Sequence, residues 1–233
     1  MGKNIVLKVG GSVMYDSALN VNVELFKKIK GWYLRAINEY NKIIIVTGGG
    51  ELSRNIQKKV EGDIDDENSL HNIAMSVTQT NANMLAGYLE DPNIFLPKKI
   101  GDAYEYLLHN EKCTLVSGGL KIGWSTDMDS AVFADMIDEN IVYKISNVEY
   151  IYDKDPDIGV GNPIKEIKWL EYFKLFNIHD GQNHIANKSI PIDVNCAQFC
   201  SRKDISFFIC GGSNLVQRPN IEDVLKEGTL VHN

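Results

Sequence analysis

The residues best equipped for chemistry in this chain are two lysines, one aspartate and three glycine turns. Lys8 lies inside the apolar run Ile5-Val6-Leu7-Lys8-Val9, just before Gly10-Gly11-Ser12. A charge within such a run is costly unless it is paired or reaches the end of its element. Lys144 repeats the arrangement in Ile141-Val142-Tyr143-Lys144-Ile145, which ends in Ser146-Asn147. Either lysine alone fits an edge position with its amine in solvent equally well. Together they indicate two cations converging on one crevice. Asp127 opens a helical stretch over 127–137 and is placed to bridge the two ammonium groups. Phosphoryl transfer calls for this equipment, because charge develops on the transferring oxygens and catalysis is mainly positioning plus charge compensation.

Gly10-Gly11-Ser12, Gly48-Gly49-Gly50 and Gly118-Gly119 each follow an apolar run. Glycine lets the backbone approach an anion closely, and a helix starting just after the turn offers unpaired N–H groups. One such turn reads more simply as a tight connection; three favour phosphate binding. Two familiar fingerprints fail. The stretch from Gly118 to Ser125 has the glycine spacing of a P-loop, but Trp124 stands where its lysine is required. No GxGxxG follows the first run, which argues against a dinucleotide site. Ser125 or Thr126 also suits a helix N-cap. Asp129 is two residues beyond Asp127, so on a helix it faces elsewhere; it reads as surface or as a neighbour of the site, with magnesium contact left open. Asn81 falls on an apolar helix face and reads as a satisfied core amide.

The elements that must position these residues are short apolar runs separated by amphipathic stretches. The runs are β-branched, aromatic and continuous, which suits strands covered on both faces. Helical spacing over 25–40 and 70–89 supplies crossovers, so the sheet is expected to be mainly parallel. Ligands of such sheets sit beyond the carboxyl ends of the strands, where the glycine turns fall. The chain of 233 residues, 44% apolar and 24% charged, is an ordinary globular mix with enough length for its own core. Its formal charge of −7 makes it a poor general binder of nucleic acid or anionic membrane. Four cysteines without a CxxC pair read as reduced thiols. No apolar run is long enough for a membrane span, so a cytoplasmic protein is expected. No residues are assigned as metal ligands.

In chain order, IVLKVGGS (5–12), IVTGGGELSR (45–54), GGLKIGWSTD (118–127) and SNVEYIYDKDP (146–156) resemble the motifs of the amino-acid kinase superfamily, and among its members those of the archaeal-type uridylate kinases. The ending Lys226-Glu227-Gly228-Thr229-Leu230 is similar to theirs as well. The resemblance implies an α/β fold: one domain over 1–233, a three-layer αβα sandwich around a roughly eight-stranded, mainly parallel sheet. An acceptor half would cover about 1–140 and an ATP half 141–233. It implies Mg-ATP as phosphoryl donor, a small phosphorylated acceptor with UMP first, and a homo-oligomer, a hexamer in that family. Residue by residue, Lys8 and Lys144 would neutralise the transferring group and Asp127 would orient them. Gly10, Gly11, Ser12, Gly50 and Arg54 would meet the ATP phosphates, and Ser146, Asn147, Tyr152 and Asp155 the adenosine part. Gly49, His71, Gly119, Gly123, Trp124, Ser125 and Thr126 would hold the acceptor. The chain departs from the pattern at His71, where uridylate kinases carry an Asp, and at Trp124. It departs again at Glu149-Tyr150, in place of Asp-Gly, and at Gln198, in place of a late-helix lysine. Another small phosphate or carboxylate acceptor, or a nucleotide-binding storage or regulatory protein without turnover, are the alternatives.

Overall fold

The computed structural model describes residues 3–154, 161–179, 190–212 and 220–233. In chain order the elements are β1 (Lys3–Val9), α1 (Gly11–Met14), α2 (Val23–Glu39), β2 (Tyr40–Thr47), α3 (Gly50–Val60), α4 (Glu67–Leu89), α5 (Ile100–His109), β3 (Cys113–Ser117), α6 (Thr126–Met136) and β4 (Ile141–Ser146). There follow β5 (Ile151–Tyr152), β6 (Pro163–Ile164), β7 (Glu166–Lys168), α7 (Trp169–Leu175), α8 (Val194–Lys203), β8 (Ser206–Gly211), α9 (Ile221–Val224) and β9 (Gly228–His232). The apolar runs before the three glycine turns and before Ser146-Asn147 are the strands β1, β2, β3 and β4, and the run Ser206-Phe207-Phe208-Ile209-Cys210 before Gly211-Gly212 is β8. Among the described residues seven strands form the main sheet in the order β3-β2-β1-β4-β8-β9-β7, while β5 and β6 pair separately. Every pairing in the main sheet is parallel except β8 with β9.

The helices cover both faces. Strand side chains alternate between faces, and the core divides accordingly. Val6, Ile44, Leu115 and Val142 pack with α5, α6, α7 and α8. Ile5, Leu7, Ile43 and Ile45 pack with α1, α2, α4 and α9. This is the three-layer sandwich. Its long helix α4 begins at an Asp66 cap whose side chain accepts the Ser69 N–H, and ends at Glu90 in the left-handed region, a common helix stop.

The order of strands reverses at the centre. From β1 the chain builds outward through β2 to β3, then returns to place β4 on the other side of β1. In open parallel sheets a ligand crevice forms at this reversal, beyond the strand carboxyl ends. Lys8 and Lys144 are register partners across that β1–β4 seam. Each alternates with an apolar neighbour, Val6 and Val142, that faces the layer containing α6 and α8, so both lysines project toward that same layer.

Candidate active site

The first turn of α6 meets the two lysines. Ser125 caps the helix, its hydroxyl oxygen accepting the Met128 N–H at 3.0 Å and its O–H donating to Asp193. The capping reading of Ser125 therefore holds. Asp127 follows inside the first turn, where the helix dipole favours a carboxylate. Its Oδ1 lies 3.0 Å from Lys8 Nζ and its Oδ2 2.5 Å from Lys144 Nζ. Lys144 Nζ also donates to the Pro191 carbonyl at 2.5 Å. All three side chains are nearly buried, with Lys8 6%, Asp127 7% and Lys144 7% exposed. Burial opposes ionisation of Asp127, but the ammonium groups of Lys144 and Lys8 outweigh it and hold its carboxyl at about 2. Burial lowers the pKa of Lys8; Asp127 counters this and Lys144 adds to it. The result is a carboxylate clamped between two cations at the strand-order reversal.

Two glycine turns converge on the same point by direct backbone contact. A Cβ on Gly11 would lie 2.1 Å from Gly50 N, and one on Gly50, whose φ is +61°, would lie 2.2 Å from Gly11 O. Neither position admits a side chain. A Cβ on Gly48 would meet Gly11 N at 2.8 Å and both Lys8 Nζ and Thr126 Oγ1 at 3.5 Å. Gly10 donates its N–H to Ile145 O at 2.8 Å, next to Ser146. Lys8, Gly10, Gly11, Gly48, Gly50, Thr126, Asp127, Lys144 and Ser146 thus form one cluster. Ser12 follows in α1, and Gly49 precedes α3 and contacts Ser53 and Thr78.

The remaining expected residues are distributed around this centre. Gly119 is buried against Thr78 and Gln79 of α4, accepting the Gln79 Nε2–H at 3.1 Å and donating its N–H to Thr78 Oγ1 at 2.7 Å. Gly123, Trp124 and Ser125 line a cleft of about 320 Å³ whose other wall is Asp193, Gln198 and Arg202. Lys121 Nζ sits 4.2 Å from the Trp124 ring centroid. Asn147 is exposed, and Tyr152 lies in β5. Arg54 is engaged with Glu51 at 3.0 Å on the exposed side of α3. His71 faces solvent and Glu67, 3.8 Å away; seven residues before Thr78, it lies about 10 Å up the helix axis from the turns. Asp155 lies outside the described residues. Sequence reasoning missed Thr78, Asp193 and the Pro191 carbonyl. None carries a motif, and only the Asp193 cap of α8 left a local signal.

Asp129 corrects a sequence expectation. Of the two readings, surface or neighbour of the site, the first is overturned: Asp129 is fully buried, and among the described residues neither carboxyl oxygen has a partner at hydrogen-bond geometry. Burial raises its pKa to about 7; the nearby Leu120 N–H, outside good hydrogen-bond geometry, opposes the rise and the Asp193 charge adds to it. The folded protein therefore retains this proton to about pH 7, whereas the unfolded chain loses it near pH 4. Between those values the folded state binds more protons, so stability falls as pH rises through 7. Asp129→Asn is expected to match the parent at pH 4 and to exceed it at pH 8 by up to about 4 kcal/mol. Melting curves at the two pH values check this.

The sheet order, the glycine turns and the buried Lys–Asp–Lys bridge define a phosphate-handling α/β enzyme scaffold. The sequence model of the amino acid kinase family matches residues 3–211, and the chain belongs to that family. Its relatives include the uridylate kinase of Thermoplasma volcanium, 27% identical over 213 residues covering 90% of this chain and 88% of that protein. The uridylate kinase of Ignicoccus hospitalis is 27% identical over 231 residues, 98% of this chain and 99% of the relative. Among solved structures, uridylate kinase from Archaeoglobus fulgidus superposes with a TM-score of 0.75 at 20% identity, covering 97% of this chain and 99% of that one. UMP kinase from Ureaplasma parvum gives 0.74 at 19% identity with full coverage of both. These superpositions establish the αβα fold. Among the described residues, no helix is long and apolar enough to cross a membrane.

Proposed function

We propose that this chain is an ATP-dependent phosphotransferase acting on a small phosphorylated acceptor, with UMP, yielding UDP, as the leading candidate. The observation that carries the reading is the Lys8–Asp127–Lys144 bridge, buried between the 10–12 and 48–50 turns. The archaeal relatives named uridylate kinase support UMP in particular. On this reading a phosphate oxygen of the acceptor attacks the γ-phosphorus in line. The new P–O bond forms as the bond to the β-phosphate bridging oxygen breaks, and ADP leaves. A phosphate monoester loses its second proton with a pKa of about 6, so the attacking oxygen needs no general base at neutral pH. Asp127, clamped at about 2, serves to orient the cations rather than to take a proton. Lys8 and Lys144 stabilise the charge that spreads over the transferring oxygens.

Gly10, Gly11, Ser12, Gly50 and Arg54 are assigned to the ATP phosphates, and Ser146, Asn147, Tyr152 and Asp155 to the adenosine. Gly49, Gly119, Gly123, Trp124, Ser125 and Thr126 are assigned to the acceptor, with His71 at the outer end of α4. Magnesium carried by the nucleotide would add charge neutralisation. Among the described residues no three His, Cys, Asp or Glu side chains converge to cage it, so phosphate oxygens and water would be most of its ligands. An acceptor other than UMP is favoured by the departures at His71 and at Trp124, whose ring has Lys121 over it in the loop that lines the cleft.

A coupled ADP-release screen across nucleoside monophosphates and small acids tests the reaction and names the acceptor. Calorimetry with Mg-ATP tests the donor side separately. Binding is expected even if UMP proves to be the wrong acceptor, because the donor-side motifs are the more intact. No detectable binding at millimolar ATP would sink the kinase reading.

A further inference from the structure

We propose that Tyr15 and Asn81 are positioning residues that lock the 10–12 turn to the 48–50 turn, fixing the distance between donor and acceptor. The proposal rests on the phosphotransferase reading above. Asn81 is fully buried on α4, amid apolar neighbours, where a bare amide would be costly. Both ends of the amide are used. Nδ2 donates to the Gly48 carbonyl at 2.7 Å, and Oδ1 accepts the Tyr15 hydroxyl. A carbonyl oxygen can only accept, so the amide nitrogen must face Gly48 and the amide orientation is fixed. Tyr15 closes the four-residue helix α1, which begins at Gly11. The relay therefore runs from the end of α1, which carries the 10–12 turn, through α4 to Gly48, the first residue of the turn whose Gly49 is assigned to the acceptor and whose Gly50 is assigned to the ATP phosphates.

The relay is separate from the backbone bonds at the strand ends, one of which, Gly48 N–H to Val9 O, already joins the two turns where β1 and β2 end. Gly10 is tied to β4 through Ile145 O, and Gly48 donates to Val9 O at 2.9 Å. The end of α1 is separately anchored by Asn22, whose Nδ2 donates to Val13 O at 3.0 Å. The Gly11–Gly50 contact sets how closely the turns can approach, and the Gly48–Val9 bond ties their strand ends, but neither stops the α1 side from separating from the 48–50 turn or sliding past it. The Tyr15–Asn81–Gly48 chain opposes both. Thr78 and Gln79, one turn earlier on α4, hold Gly119 in the same way, so one helix segment references all three glycine turns. No apolar residue at 81 could satisfy Gly48 O and Tyr15 OH together. An aspartate could accept from Tyr15 but would repel the Gly48 carbonyl.

Tyr15→Phe removes the hydroxyl and keeps the ring, so the variant is expected to fold. Two readouts decide: steady-state kinetics with Mg-ATP and the acceptor found in the screen, and amide hydrogen exchange of the unliganded protein over residues 10–15 and 47–51. The expected result is a kcat lower by about tenfold with both KM values changed less than about twofold, since misplacement of bound reactants costs rate rather than binding. Exchange in both turns should quicken. Tyr15→Phe placed on Asn81→Ala should add no further loss of kcat, because the two residues act as one unit. Unchanged exchange, or unchanged kcat beside faster exchange, overturns the proposal. If the parent protein turns over no acceptor, the phosphotransferase reading fails on its own. The cross-link is then decided by exchange alone, quicker exchange upholding it and unchanged exchange overturning it.

Discussion

Replacing Lys8 by alanine is expected to lower kcat by roughly 10²–10³ while the KM for ATP changes by less than about threefold. The reason is where the ammonium is held. Asp127 Oδ1 fixes it at 3.0 Å, and the 48–50 turn passes beside it. A cation preset at that point gains most when charge builds on the transferring phosphoryl group, and less from ATP in its ground state. Lys144 remains to pair with Asp127 in the variant, so the loss is not expected to come from unfolding. Steady-state kinetics over both substrates, with a melting curve as control, separate the possibilities. Proportional loss of kcat and ATP affinity would make Lys8 a ground-state phosphate ligand only.

Asp127→Ala is expected to damage both rate and stability. Removing the shared partner leaves two ammonium groups, 6% and 7% exposed, facing one another without a counter-charge. Breaking a buried pair in this way typically costs about 3–5 kcal/mol. For a chain of this size that is a fall in Tm of about 10 °C. The pH dependence gives the cause a signature. Burial and Lys144 already lower the pKa of Lys8, and only Asp127 sets a substantial charge against them. Without Asp127 the folded state sheds a lysine proton at lower pH than the unfolded chain does. Between those two pKa values the unfolded chain holds more protons, so the stability of the variant rises with pH. The gap to the parent, in which Asp127 still supports the Lys8 charge, should narrow as pH rises toward the ordinary lysine pKa. A constant gap would mean that the loss comes from packing rather than from unpaired charge.

Much of the site was legible before any coordinates. The apolar runs, their glycine endings and the lysines within two of them are local features, and strands and turns follow from local pattern. Ser125 as a helix cap is equally local, because a hydroxyl beside the first-turn N–H groups satisfies them wherever that helix lies. The sequence by itself therefore determined the strand-and-crossover architecture, the sheet edge at which the glycine turns fall, and the two lysines and the aspartate proposed to act there. It could not determine partners distant in the chain. Lys8 and Lys144 are 136 positions apart, and only the parallel register of β1 against β4 sets them side by side. Gly11 and Gly50 each suit a turn or a phosphate; the packing of α1 against α3 is what forbids a side chain at both. Asn81 looked like a core amide, and it is one, but the carbonyl and the phenol that satisfy it come from two other segments. Asp129 read as surface or as a neighbour of the site because helix periodicity sets it apart from Asp127. It is buried because α6 is covered beyond its core-facing stripe, by the turn at Gly119 as well as by the sheet. Those placements depend on side-chain contacts between elements far apart in sequence, and such contacts exist only once the layers have closed on one another.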